Sequence, residues 1–237
     1  MAFLLNYMTI EHSNKKTISI GIIISIVLFF AALVVSKLLK DVLLLSDEVA
    51  LFSSRIAIWV ALAILFIYVR QIEKQPLLLW QEKKYSVVHY ILSVITALLT
   101  VVAVLIVFSI VWTLLGLKKD SNSLNKIIDI FRHNHFLVVL TCLTAGITEE
   151  LVFRGYIMPR LQLLFNKTYL SVIISSVIFG LIHFGYGTAL NVIGPFIIGL
   201  VFALHYYKFR NIKILIICHF LWDYIVILLK LNFQPQG

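Results

Sequence analysis

Phe136-Leu-Val-Val-Leu-Thr-Cys-Leu-Thr-Ala-Gly-Ile-Thr-Glu149-Glu150-Leu-Val-Phe-Arg154 is an apolar run of membrane-spanning length that carries two adjacent carboxylates, with a guanidinium one helical turn past the second. Crossing a hydrocarbon core takes ~20 predominantly apolar residues in a helix, because lipid leaves no partner for an unpaired backbone group. An ionised carboxylate inside such a run costs several kcal/mol unless it is paired or faces a wet cavity, so an intramembrane acid is a functional-site candidate by default. The chain has eleven acidic residues, and all but Glu149, Glu150 and Asp223 lie in polar segments between apolar runs.

The rest of the chain repeats the pattern. It has 237 residues, of which 61% are hydrophobic and 13% charged. Apolar runs fall near 17–36, 50–69, 87–115, 136–153, 170–184, 189–207 and 212–229, and the third is long enough to tilt or break. The expected fold is therefore an all-α, polytopic transmembrane helix bundle of seven to eight spans, with a buried polar site in its C-terminal half. Three regions are expected: N-terminal spans and a linker over 1–135, a helical core over 136–229 and a short tail over 230–237. The first run has spanning length and is not followed by a small-residue cleavage site, which predicts an uncleaved first helix.

A formal net charge of +9 would suggest nucleic acid in a soluble protein. Here the basic residues mark span ends: Lys15-Lys16, Lys83-Lys84, Lys118-Lys119, and Lys208 with Arg210 and Lys213. That distribution serves topology and contact with anionic membrane lipids, and nucleic acid is excluded as a partner. Cys142 and Cys218 fall inside apolar runs and read as small hydrophobes rather than reactive thiols, a disulfide or metal ligands.

Polar groups are unevenly distributed. Up to about Leu115 the spans hold almost none, Arg55 and His89 lying near span ends where such side chains reach the interface. The stretch from Lys118 to His135 reads as a polar linker, with His133 and His135 solvated rather than metal-bound. Residues 154–165, with Arg154, Arg160 and Gln162 on one side, predict an interfacial helix along the membrane surface.

Glu150 and Arg154 are four residues apart, as are Phe179 and His183, and His219 and Asp223. On an α-helix this spacing puts each pair on one face, and three such stripes are satisfied most economically by facing one another across the bundle interior. The chemistry offered is hydrolytic. A carboxylate in a low-dielectric pocket beside a second acid suits general-base work, and imidazole or a protonated acid can donate to a developing oxyanion. Each pair alone also has a purely structural reading: a helix-end ion pair for Glu150–Arg154, an interfacial residue for His183, a hydrogen bond fixing helix rotation for His219–Asp223. His205, followed by Tyr206, Tyr207 and Lys208, reads as interfacial.

Glu149-Glu150-Leu-Val-Phe-Arg154-Gly155, then Phe179-Gly-Leu-Ile-His183, then His219-Phe-Leu-Trp-Asp223, in this order, resemble the motifs of the CPBP family, the CAAX-protease and bacteriocin-processing membrane proteins also called the Abi family or type II CAAX prenyl endopeptidases. The span with Gly194-Pro195 and Gly199-Leu200 is similar to the family's helix between its two histidine motifs. The resemblance covers about 136–229. It implies an intramembrane endopeptidase of the cell membrane of a prokaryote, acting on a membrane-associated peptide or lipidated protein. Carried onto this chain, Glu149 with His183 would activate water, Glu150 and Arg154 would support the site, and His219 with Asp223 would bind the oxyanion. The family's last motif carries Asn or Asp, and the Asp found here donates only when protonated. The chain lacks the His-Glu-x-x-His of zinc peptidases, so no obligatory cofactor is expected; if a divalent metal such as zinc is bound, Glu149, His183 and His219 are its candidate ligands. A Gly-x-Ser-x-Gly elbow and a pair of intramembrane aspartates are both missing, which disfavours other intramembrane protease classes.

Two other readings remain at this level. The same cluster could stabilise a non-catalytic immunity or binding protein. A proton-coupled transporter is less favoured, because the chain shows no internal repeat or paired broken helices.

Overall fold

The computed structural model describes residues 15–117 and 121–233, so Lys118 and Lys119 lie outside the described residues, as does the tail beyond Phe233. Nine α-helices are described: α1 (Lys15–Leu43), α2 (Asp47–Tyr68), α3 (Val87–Leu114), α4 (Asn122–His133), α5 (His135–Glu149), α6 (Met158–Phe165), α7 (Thr168–Leu181), α8 (Leu190–Phe209) and α9 (Ile212–Phe233). Two π-helical segments, Val69–Glu73 and Glu150–Ile157, extend α2 and join α5 to α6. A short 3-10 turn, Phe184–Tyr186, follows α7, and no strand occurs among the described residues. Helix starts are set by side-chain caps: Ser46 accepts from the Val49 amide, Ser86 from His89, Ser121 from Leu124, Asn134 from Leu137 and Asn211 from Ile214.

Among the described residues, seven helical stretches are long and apolar enough to cross a membrane. The third run, Val87–Leu114, is one unbroken helix, so it does not divide to supply an eighth span. The protein is a multi-pass integral membrane protein. α1 and α2 pair with each other and lie against the Glu150–Ile157 segment, with Phe29 edge-on to Phe153 at 5.9 Å. α3 packs on α8 and α9, and α5 packs on α2 and α9. Close approach is bought by glycine: a Cβ at Gly146 would lie 3.1 Å from the Ile216 carbonyl of α9, and one at Gly180 would lie 2.8 Å from the Val192 carbonyl of α8.

Two expectations change. The stretch expected as a linker contains α4, an amphipathic helix that buries Ile128 and Phe131 beside Leu51, Leu137 and Val138. Its apolar residues Leu124, Ile127, Ile128 and Phe131 follow helical spacing. The stretch expected along the membrane surface is instead the end of a helical path running from His135 to Phe165, and both of its arginines, Arg154 and Arg160, are buried.

Arg160 explains its own burial. Its Nε and Nη2 donate to the two carboxylate oxygens of Glu73 at 2.7 and 3.0 Å, Nη1 donates to the carbonyls of Leu77 and Tyr156, and Nη2 donates also to that of Pro76. All five guanidinium N–H groups are used, and the group lies 3.8 Å over the Tyr156 ring. The segment after Glu73 is thereby tied to α6. Further along, Glu82 accepts from the Tyr206 hydroxyl and the Ile212 amide, and Trp80 stacks on Tyr206. Residues 74–86 thus form an ordered strap across the α8–α9 turn. Arg210 at that turn holds a left-handed backbone (φ 50°), with its guanidinium 3.5 Å over Trp80.

Removing one partner of a buried ion pair leaves the other charge uncompensated and typically costs about 3–5 kcal/mol. Glu73→Ala is therefore expected to lower the melting temperature in detergent strongly, and Arg160→Lys to lower it less. Melting unchanged in Glu73→Ala would refute the strap's role.

Candidate active site

The two glutamates sit where the helix changes its winding. α5 ends at Glu149, and from Glu150 the backbone bonds five residues back, the Met158 amide donating to the Phe153 carbonyl. The same carbonyl accepts from Ser175 Oγ of α7 at 2.8 Å. Gly155 allows the wider turn to lie against the strap, since a Cβ there would be 2.5 Å from Leu78 Cδ2. Such π-helical insertions recur at functional sites because they re-aim the side chains of an otherwise regular helix.

Glu150 is the centre of the cluster. Its Oε1 accepts from Arg154 Nη1 at 2.9 Å and from His219 Nδ1 of α9 at 2.7 Å. With Nδ1 donating to Glu150, His219 turns Nε2 toward Glu149 Oε2 at 3.9 Å and Asp223 Oδ2 at 3.5 Å. Three of the residues grouped from the sequence, Glu149, Glu150 and Asp223, thus surround the imidazole of a fourth, His219, and Arg154 holds the Glu150 carboxylate behind it. The pairing differs from the expected division: His219 binds Glu150 as well as facing Asp223, so the support and the presumptive oxyanion end are one connected chain.

Arg154 is enclosed by aromatic rings. Its guanidinium carbon lies 4.2 Å from the Phe179 ring centroid and 5.8 Å from that of Phe202. Gly199 makes room for it, because a Cβ there would be 3.2 Å from Arg154 Nη2 and 3.1 Å from the Phe179 ring. Phe179 was singled out only for its spacing from His183, and Phe202 not at all. Their part in the site depends on how α7 and α8 pack against the π segment.

His183 lies just beyond the end of α7, in the turn toward Tyr186. Its Nδ1 is 2.8 Å from the Phe179 carbonyl. A carbonyl only accepts, so Nδ1 carries the hydrogen and Nε2 is the ring's acceptor in the neutral imidazole. The Phe179 ring is within 5.1 Å of the His183 ring and 5.9 Å of the His219 ring, and so lies against both. His183 makes no ion pair with the Glu149 carboxylate among the described residues.

Exposure identifies the open end of the cluster. The Asp223 side chain is 30% exposed and that of Glu149 14%, against 6% for His219 and 1% or less for Arg154 and Glu150. The site therefore opens at Asp223 and Glu149, toward the end of α7 that bears His183, whereas Lys167 stands at the other end of that helix. Among the described residues no three His, Cys, Asp or Glu side chains gather in a geometry that would hold a metal ion. Of the nitrogens on the two candidate histidine ligands, Nδ1 of each is committed to a hydrogen bond within the protein.

Fold and site together define a polytopic membrane protein with a carboxylate–imidazole cluster buried among its C-terminal helices. Residues 131–225 match the family model of the Rce1-like proteins, described as type II CAAX prenyl endopeptidase Rce1-like. A Bacillus subtilis (strain 168) protein named "Putative membrane peptidase YdiL" is 25% identical over 126 residues, which are 52% of this chain and 49% of that protein. The chain thus spans about half the length of the curated relative it matches. No solved structure matches it.

Arg154→Ala leaves Glu150 buried with a single donor, and is expected to cost about 3–5 kcal/mol of stability, read as a lower melting temperature in detergent. Arg154→Lys should recover only part, since an ammonium lacks the flat face that lies against Phe179. Equal melting of the alanine variant and the parent would show that the pair contributes nothing.

Proposed function

We propose that the protein is a membrane-embedded, glutamate-dependent endopeptidase that hydrolyses a peptide bond in a membrane-associated peptide or lipidated protein, in the cell membrane of a prokaryote. The observation that carries this reading is the position of Glu149: a carboxylate at the open end of a cluster whose deeper members hold His219 in a fixed orientation. The Rce1-like match over the same residues and the peptidase name of the Bacillus subtilis relative support it.

In this reading a water between Glu149 and His183 gives a proton to the Glu149 carboxylate as its oxygen attacks the scissile carbonyl carbon, forming a tetrahedral oxyanion. His183 Nε2, the acceptor nitrogen, helps orient that water. His219, when Nε2 is protonated, donates toward the oxyanion, as does Asp223 in its protonated form. Collapse of the intermediate breaks the C–N bond, and the proton held by Glu149 passes to the leaving amine. Glu150 and Arg154 act through His219 and are positioning residues. The surrounding rings of Phe179 and Phe202 exclude water from the inner side, which strengthens each of these interactions.

Glu149→Gln keeps shape and hydrogen bonding while removing the base. In proteoliposomes carrying a lipidated, internally quenched peptide, this variant is expected to accumulate and melt like the parent while cleavage falls ~100-fold or more, the range that general-base catalysis supplies. Near-parental turnover would exclude Glu149 as the base.

A further inference from the structure

Three arginines lie inside membrane-spanning helices away from their outer turns. Arg154 is paired with Glu150 and Arg160 with Glu73, and both are fully buried. Arg55, eight residues into α2 and so about 12 Å along its axis, is the third. It is half-buried, its Nε lies 3.1 Å from Ser54 Oγ, and among the described residues it has no carboxylate within ion-pair distance. A half-buried guanidinium near a span end, without an anionic partner among the described residues, is accommodated by the bundle interior or a wet cavity rather than by lipid.

Its location relates it to the site. Trp59, one turn along the same face of α2, donates to Thr144 Oγ1 of α5 at 3.1 Å, so Arg55 is on the side of α2 that meets α5. α2 and α5 start at the same end of the bundle, where the Asn134 side chain donates to Glu48. That places Arg55 one turn nearer this end than Thr144, on the approach to Glu149. At this end the Ser121 hydroxyl that caps α4 donates to the Tyr186 carbonyl, so the turn that bears His183 lies beside the helix leading into α5. The Tyr186 ring is 5.9 Å from that of His183. Arg55 therefore lies on the α5 side of α2, at the end of the bundle toward which Glu149, Asp223 and His183 open. An acidic ligand entering this opening would be repelled by either acid in its ionised form unless a cation received it.

We propose that Arg55 is a specificity-determining residue that binds a carboxylate of the peptide substrate at the mouth of the site. The planar guanidinium suits a carboxylate, which it can meet with two parallel N–H donors. The proposal rests on the endopeptidase reading for the identity of its ligand, but binding can be measured without turnover. The carboxylate is either the free chain terminus or an acidic side chain.

The test uses the full chain bearing Glu149→Gln, in nanodiscs of phosphatidylcholine so that no lipid surface charge biases the result. Three fluorescein-labelled apolar hexapeptides serve as probes: one with a free C-terminal carboxylate, its C-terminal amide, and the amide with one internal glutamate. Fluorescence anisotropy is expected to show the free acid binding about tenfold or more tighter than the amide, the scale of a charge-assisted hydrogen bond. Tight binding of the glutamate-containing amide would identify an acidic side chain as sufficient, and weak binding would identify the terminus as required. Adding Arg55→Gln should erase the preference while leaving affinity for the plain amide unchanged, which also reports an intact fold. Arg55→Lys should retain part of the preference and serves if the glutamine variant does not accumulate. An acid-to-amide ratio unchanged in either variant, or no binding of any probe, overturns the proposal. Cleavage that survives Glu149→Gln would overturn Glu149 as the base, absence of cleavage by the parent would overturn the endopeptidase reading, and either leaves the binding ratio as an independent result.

Discussion

A single carboxylate oxygen, Oε1 of Glu150, accepts from Arg154 within its own helical path and from His219 on α9. Charges taken out of water are stabilised only where their hydrogen-bonding capacity is met by neighbours in good geometry. The packing around this oxygen serves that requirement. Gly146 lets α5 approach α9 closely enough for the two residues to meet, and Gly199 clears the volume that the guanidinium occupies between Phe179 and Phe202. The orientation of His219 follows, because a ring whose Nδ1 is held on one side can present only Nε2 to Glu149 and Asp223 on the other.

The three intramembrane arginines differ in how fully they are satisfied, and the difference separates scaffold from site. Arg160 uses all five of its donors, two of them on Glu73, and gains nothing from any further ligand. Arg154 places one nitrogen on Glu150 and leaves Nε and Nη2 without hydrogen-bond partners, its remaining stabilisation coming from aromatic faces. Arg55 has a neighbouring hydroxyl and, among the described residues, no carboxylate within ion-pair distance. A buried polar group that is fully satisfied rigidifies a fold, while one that is incompletely satisfied marks a place where structure has been traded for interaction. That gradient runs from the strap side of the bundle toward the opening at Asp223.

Membrane insertion made much of this molecule legible from residue order alone. Long apolar runs predict spans because hydrocarbon admits only self-satisfied helices, and an acid within a run stands out because lipid cannot solvate it. The helix α4 is legible in the spacing of Leu124, Ile127, Ile128 and Phe131, but its many polar residues give the stretch the composition of a linker. Arg160 was misplaced for a different reason: its partner Glu73 is 87 residues away, so local pattern showed a charged face with nothing to bury it.

Sequence order established the spans, the i, i+4 stripes and the grouping of Glu149, Glu150, Arg154, His219 and Asp223, since each is a property of neighbours on one helix or of the cost of charge in lipid. Which carboxylate His219 binds, which ring nitrogen it uses and where the cluster opens were decided by tertiary packing. These are choices among partners 69 residues apart in the chain, made by helix crossings, by the π-helical winding after Glu149 and by the small side chains that let the backbones meet. No local period encodes such choices, because the free energy that selects among them resides in contacts that exist only once the helices are assembled.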